Sequence, residues 1–328
     1  MRRSGGAVIL MQQDFNDITF LFPSEMDMNA FIKQPADEPF SDNAVSFLQD
    51  LSHELAKDIR NYPEVAALAF FCRKASVLQL KQKYNESPSF RLGRGIAFHI
   101  TPSNVPLNFA YSLVTGILSG NNNIVRAPSK DFEQVRIFCE AIERVNRSGT
   151  HAAMLKKILL VRYSKQSTAT AYFSSICDVR IIWGGDDTIA EIRKNSIGPR
   201  AFDITFADRY SLAIINADIY IQEQNPAMIA AGFYNDTYLY DQNACTSPHL
   251  IIWLGNEKNV QHAKEVFWNE LHKVVLAKYK EMQSVIAVDK LTAFYSQAST
   301  SVGISKITTP DNYVWRVELQ ELPSDISN

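Results

Sequence analysis

A chain of 328 residues, 46% hydrophobic, is long enough to bury a large core and to form two domains. Its 33 basic and 35 acidic side chains leave a formal charge of −2, which removes the electrostatic basis for binding nucleic acid or an anionic membrane. Four cysteines (Cys72, Cys139, Cys177, Cys245) are dispersed without C-x-x-C spacing, so neither zinc site nor disulfide framework is indicated, and a reducing, cytoplasmic setting is expected.

At the N-terminus, the apolar run Ala7-Val8-Ile9-Leu10-Met11 stops at Gln12-Gln13-Asp14, too short for the apolar region of a signal peptide. Elsewhere no apolar run approaches the ~20 residues that span a bilayer. Residues 40 to 85 read as helices: Ser41-Asp42-Asn43 offers N-caps, and Val45, Phe47, Leu48, Leu51 and Leu55 recur at helical spacing. From Arg91 onward, strand and helix alternate. Gly95 to Ile100 is a short buried strand, Phe109 to Ser119 a helix, and Asn123 to Ala127 a strand. Asp131 to Val145 is an amphipathic helix with Val135, Phe138, Cys139, Ile142 and Val145 on one face. Ile158 to Val161 and Val179 to Trp183 are strands flanking another short helix, Asp187 to Lys194 is helical, and Leu212 to Ile215 is a further strand. The second half continues with a helix from Pro226 to Tyr240, a polar turn, a strand at 249 to 254 and a long helix from Asn259 to Met282.

This alternation predicts an α/β fold with a doubly wound parallel sheet covered on both faces, a nucleotide-binding layout. The break at Asn225-Pro226 sets the expected boundary. Residues 1–225 then hold N-terminal helices and a dinucleotide-binding domain, and 226–328 a second α/β domain carrying the chemistry.

Four places in the chain offer that chemistry. Cys245 stands in the turn Asp241-Gln242-Asn243-Ala244-Cys245-Thr246-Ser247, among hydroxyl, amide and carboxylate neighbours. A thiolate is stabilised in such surroundings and becomes a nucleophile, whereas Cys72, Cys139 and Cys177 lie among apolar neighbours as small buried hydrophobes do. Asn104 follows a strand; it suits either a helix cap or an amide donor to an oxyanion. Gly184-Gly185 ends a strand and opens a helix, which suits a tight turn or a close approach to phosphate; the G-x-G-x-x-G fingerprint is absent. Arg126 ends a strand, either as a solvated loop charge or as a grip on a ribose or phosphate. The six histidines are scattered, and His249, entering a strand, reads as structural.

In this order, these segments resemble the aldehyde dehydrogenase superfamily, and within it the acyl-CoA reductase branch that includes the fatty acid reductase component of bacterial bioluminescence. The resemblance runs from about Phe90 onward. Ile100-Thr101-Pro102-Ser103-Asn104-Val105-Pro106 is similar to the segment that supplies the oxyanion-hole asparagine, which implies that role for Asn104. Ile124-Val125-Arg126-Ala127-Pro128-Ser129 resembles the segment that grips the adenosine ribose, and Ile182-Trp183-Gly184-Gly185 the turn over the cofactor pyrophosphate. Tyr240 to Cys245 is close to the branch's signature around its catalytic cysteine. The resemblance therefore implies Cys245 and Asn104 as catalytic residues. It implies Ile100, Thr101, Pro102, Ser103, Arg126, Ser129, Gly184 and Gly185 as cofactor-binding residues, with NADPH as cofactor and NADH as the alternative. It further implies reduction of an activated fatty acyl thioester to an aldehyde through an acyl-cysteine. The acyl donor would be acyl-CoA or an acyl-protein synthetase, and the assembly a homo-oligomer. The competing readings are an aldehyde dehydrogenase releasing free acid and a non-catalytic, acyl-carrying subunit.

Three departures from the superfamily pattern matter. Arg126 stands where lysine is usual, which suits a 2′-phosphate. The strand segment that carries a glutamate base in hydrolytic members here contains Thr205 near that position and no glutamate, which argues for acyl exchange with a thiol over hydrolysis. Members of the family extend roughly seventy or more residues past the point where Asn328 stands, judged against the usual size of two such domains, so the chain is expected to be either truncated at the C-terminus or a naturally short member of the branch.

Overall fold

The computed structural model describes residues 17–84, 90–103, 105–207, 209–238, 246–279, 284–300, 304–308 and 311–319. The chain divides into two compact units, Met1–Asp208 and Arg209–Asn328.

The first unit opens with strand β1 (Thr19–Phe22) and helices α1 (Met28–Ile32) and α2 (Asp42–Leu55). A 3-10 segment (Ala56–Asn61), α3 (Pro63–Phe71) and α4 (Lys74–Tyr84) follow. Alternation then sets in: β2 (Ile96–Ile100), α5 (Asn108–Leu118), β3 (Asn122–Arg126), α6 (Glu133–Arg147), α7 (Ala152–Leu155), β4 (Ile158–Arg162), α8 (Ala169–Ile176), β5 (Val179–Trp183), α9 (Asp186–Arg193) and β6 (Phe202–Phe206). The first two helices begin where the sequence supplies a cap. Ser41 accepts from the Ala44 N–H at the start of α2, and Asp27 accepts from Asn29 and Ala30 at the start of α1. The amphipathic α6 buries Val135, Phe138, Ile142 and Val145, while Arg136 bridges Glu133 and Glu140 on its outer face.

Six strands form one sheet in the order β1-β4-β3-β2-β5-β6, parallel except for β1, which runs antiparallel to β4. Buried parallel strands read as near-continuous apolar runs, as in β2, whose five residues are all buried. Alternate residues serve opposite faces. Val125 and Leu160 pack with Leu48, Leu51, Leu113 and Phe138 on one side; Phe98, Ile124 and Leu159 pack with Phe173 and Ile189 on the other. The result is a three-layer helix–sheet–helix unit. From β2 the chain winds outward through β3 to β4, then returns to lay β5 and β6 on the opposite side of β2. That reversal places a topological switch point at the carboxyl ends of β2 and β5, where doubly wound sheets bind ligands.

A charge sits inside this unit. Arg180 on β5 is 1% exposed and pairs with Asp203 on β6 through two bonds, Nε donating to Oδ1 at 2.8 Å and Nη2 to Oδ2 at 3.2 Å; Nη1 donates to Ser174 Oγ and the carbonyls of Ile192 and Asn195. Full pairing is what makes such a buried guanidinium tolerable.

The second unit comprises β7 (Ser211–Asn216), α10 (Ala217–Tyr220), α11 (Pro226–Thr237), β8 (Pro248–Leu254), α12 (Glu257–Lys278), α13 (Ser284–Thr300), β9 (Ile304–Thr308) and β10 (Arg316–Leu319). β7 and β8 pair in parallel, β9 and β10 antiparallel. Phe267 on α12 anchors this core among Tyr220, Phe233, Trp253 and Trp268. The unit division precedes β7. The Asn225-Pro226 pair, chosen from sequence as the boundary, opens α11 instead, with Asn225 accepting from the Met228 N–H. Among the described residues no helix is long and apolar enough to cross a membrane, and no cluster of metal-ligating side chains occurs.

Candidate active site: the rim of the sheet

The carboxyl rim of the first unit's sheet collects most of the candidate cofactor residues. β2 ends in Ile100 and continues through Thr101, Pro102 and Ser103. The Thr101 hydroxyl donates to the Arg126 carbonyl at 2.8 Å, tying the exit of β2 to that of β3. Arg126 is partly exposed, and it is held: Nη2 donates to the Tyr163 carbonyl at 3.2 Å, and the guanidinium lies 4.8 Å from the Tyr163 ring centroid. Ser129 is exposed beyond it. At the end of β5 the Gly184 N–H donates to the Phe206 carbonyl at 3.1 Å, and Gly185 takes the N-cap position of α9 without a capping side chain. A Cβ built on Gly185 would meet nothing within 4 Å, so the turn leaves a free approach to backbone. Asp186 and Asp187 stand exposed in the first turn of α9. Their charges oppose a phosphate, so close backbone approach is what this turn would offer one, and the positive charge would come from Arg126. These residues fit a dinucleotide laid across the switch point.

A polar chain runs from the core to this rim. The Trp183 indole N–H donates to Ser112 Oγ (3.3 Å), Ser112 lies 2.7 Å from His99 Nδ1, His99 Nε2 lies 3.1 Å from Asn123 Oδ1, and Asn123 Nδ2 donates to the Asn121 carbonyl (2.8 Å). Burial lowers the His99 pKa to about 4 despite its bond to Asn123, so the ring is neutral. One tautomer satisfies every group: Nε2–H donates to Asn123, and Nδ1 accepts from the Ser112 hydroxyl. Trp183 also stacks on Phe206, with centroids 4.0 Å apart and planes at 13°.

No glutamate occurs on β6. Thr205 pairs in register with Ile182 of β5, and the carboxylate of that strand is Asp203. Burial tends to raise the Asp203 pKa, but hydrogen bonds and charge from Arg180 and Arg193 outweigh it and hold the carboxyl below its usual range. So paired, it is not a base for water.

Cys245 and Asn104 lie outside the described residues, as does the turn from Tyr240 to Ala244. The N-cap position of α5, the helix after Asn104, is Leu107, with no capping side chain. Ser247 Oγ donates to the Asp236 carbonyl at 2.9 Å, so the chain returns to the end of α11 directly after the turn. Tyr238 stacks on Tyr234, meets Tyr279 edge-on, and donates its hydroxyl to the Tyr313 carbonyl at 2.8 Å. His249 lies exposed on β8 with its ring centroid 5.4 Å from that of Tyr210. The other thiols are inert: burial pushes Cys72, Cys139 and Cys177 up to about 12. Sequence reasoning passed over His99, Ser112, Trp183 and Phe206. The available signals were a histidine inside an apolar run and a tryptophan immediately before paired glycines.

Solved aldehyde dehydrogenases share this architecture. Aldehyde dehydrogenase 21 from Physcomitrella patens superposes with a TM-score of 0.60 over 88% of this chain and 66% of its own, at 11% identity. Betaine aldehyde dehydrogenase from Staphylococcus aureus, solved in complex with NAD+, gives 0.58 over 87% and 62%, at 14% identity. The fold is that of the aldehyde dehydrogenases. Within that class, residues 71–287 match the acyl-CoA reductase (LuxC) family, and the chain belongs to it. The long-chain acyl-protein thioester reductase of Vibrio harveyi is 27% identical over 220 residues, 67% of this chain and 44% of that protein. The corresponding protein of Aliivibrio fischeri is 27% identical over 180 residues, 55% and 35%. The chain thus spans less than half the length of these curated relatives.

Proposed function

We propose that the protein reduces an activated, fatty acyl thioester to an aldehyde through an acyl-cysteine on Cys245. The observation that carries this reading is the rim of the sheet: a switch point with an open glycine turn and a held arginine, beside a β6 whose carboxylate is locked in an ion pair. The first feature suits a dinucleotide, and the second leaves no residue on that strand to activate water.

In this mechanism the Cys245 thiolate attacks the thioester carbonyl, and the tetrahedral oxyanion accepts hydrogen bonds from the Asn104 amide and the Cys245 backbone N–H. The donor thiol leaves and the acyl group stays on sulfur. A reduced nicotinamide dinucleotide, which Arg126 and the Gly184-Gly185 turn would hold, would supply the hydride for that acyl carbon. The resulting hemithioacetal on Cys245 collapses to aldehyde and regenerates the thiolate. Arg126 favours the 2′-phosphate of NADPH over NADH, and either acyl-CoA or an acylated partner protein serves as donor.

Incubation with acyl-CoA and NADPH, followed by product analysis, tests the proposal. Aldehyde with cofactor oxidation supports it. Free acid would identify a hydrolytic or oxidising enzyme, and acyl labelling without cofactor consumption would identify a carrier. Each donor to the oxyanion is worth roughly 3 kcal/mol of barrier. Asn104→Ala should therefore slow acylation by about a hundredfold without abolishing it.

A further inference from the structure

The polar chain ending at Trp183 is costly for a purely structural feature. It buries a neutral imidazole at 0% exposure in the middle of β2, where an aliphatic residue would pack without a partner. It also requires a glycine inside α5, since a Cβ on Gly116 would lie 1.9 Å from Asn123 Oδ1. Donation along it runs in one direction, from the indole N–H inward to the Asn121 carbonyl. What it fixes is the last residue of β5, directly before Gly184-Gly185. Trp183 and Phe206 are cross-strand partners at the carboxyl ends of β5 and β6, and Phe206 remains 39% exposed while stacked on the indole. An aromatic pair beside the switch point, one ring locked and the other open, is a surface shaped for a planar ring.

We propose that Ser112 and His99 are positioning residues for cofactor binding: they lock the Trp183 indole against Phe206, so that the pair forms a rigid aromatic floor for a planar ring of the nicotinamide dinucleotide. The inference rests on the proposed reductase function. It adds specificity by shape, because a fixed floor accepts a flat heteroaromatic ring in one orientation and loses little entropy on contact. Ser112 is the link that can be cut cleanly. Its hydroxyl joins His99 to Trp183, and removing it leaves the His99–Asn123 bond in place.

The experiment titrates the full chain with NADPH and with NADH, reading the change in the cofactor's own fluorescence. It uses the wild type, Ser112→Ala, Trp183→Phe and Phe206→Ala, with acylation of Cys245 by acyl-CoA followed in parallel. Binding by the wild type should weaken about tenfold in Ser112→Ala and at least as much in Phe206→Ala. KM for the cofactor should rise, while KM for the acyl donor and the rate of acylation stay unchanged; a fold defect would move all three. Ser112→Thr, which restores the hydroxyl, should recover most of the affinity. Wild-type binding with unchanged affinity in Ser112→Ala and Phe206→Ala would overturn the floor and leave the reductase reading standing. No binding of either dinucleotide by the wild type would overturn both.

Discussion

Alanine in place of Gly116 gives a sharp test of the buried polar chain. In an exposed helix interior that change stabilises by about 1 kcal/mol, because glycine is the poorer helix former. At Gly116 the new Cβ would sit 1.9 Å from Asn123 Oδ1 and 2.9 Å from His99 Nε2, and neither partner is the end of a flexible surface chain. Asn123 must move, which breaks its 3.1 Å bond to His99 and strands a buried N–H at a cost of about 1–3 kcal/mol. Displacing packed atoms costs about 1–3 kcal/mol more. Net destabilisation of about 3 kcal/mol is expected, measured as a lower urea midpoint at unchanged m-value. A double-mutant cycle with Asn123→Ala should show coupling above about 1 kcal/mol, since truncating Asn123 makes room for the methyl group. Gly116→Ala as stable as the wild type, or more so, would refute the packing account of this chain.

Three other outcomes follow from the same structure. The folded pKa of His99, about 4, lies below its ordinary value of 6.5, so the unfolded chain takes up the proton first as pH falls. Its contribution is complete above about pH 6.5 and is lost between there and pH 4, amounting to roughly 3 kcal/mol, and a His99→Asn variant should show a flatter stability profile across that window. Asp203→Asn leaves the Arg180 guanidinium buried with one charge partner gone; destabilisation of about 3–5 kcal/mol is expected from denaturant curves, and a loss below about 1 kcal/mol would contradict the assigned pairing. With Cys72, Cys139 and Cys177 pushed up to about 12, iodoacetamide at neutral pH should alkylate the native protein at Cys245 alone, as located by peptide mass mapping.

Much of the doubly wound unit is legible in the sequence because buried parallel strands announce themselves as apolar runs. β2, β3, β4 and β5 fall within a residue or two of where Gly95–Ile100, Asn123–Ala127, Ile158–Val161 and Val179–Trp183 place them. β1 escapes notice: four residues, Thr-Phe-Leu-Phe, carry no period, and the strand exists only by pairing with the distant β4. The end of the first unit is equally hidden, since Pro226 is a strong local signal while the pairing of β7 with β8 is a long-range fact. At the rim, Arg126 and the glycine pair are readable as residue types at strand ends. The chain from Asn123 to Trp183 is not, because its members lie on β3, β2, α5 and β5 and meet only once the sheet is assembled.

The central claim is that an acyl group is carried on Cys245 and then reduced. Intact-mass measurement after incubation with a panel of acyl-CoAs, before and after adding NADPH, tests it most directly. The expected result is one acyl adduct on the wild type, none on Cys245→Ala, and disappearance of the adduct with release of aldehyde once NADPH is added. An adduct that persists on Cys245→Ala, or one that NADPH releases only as free acid, would contradict it.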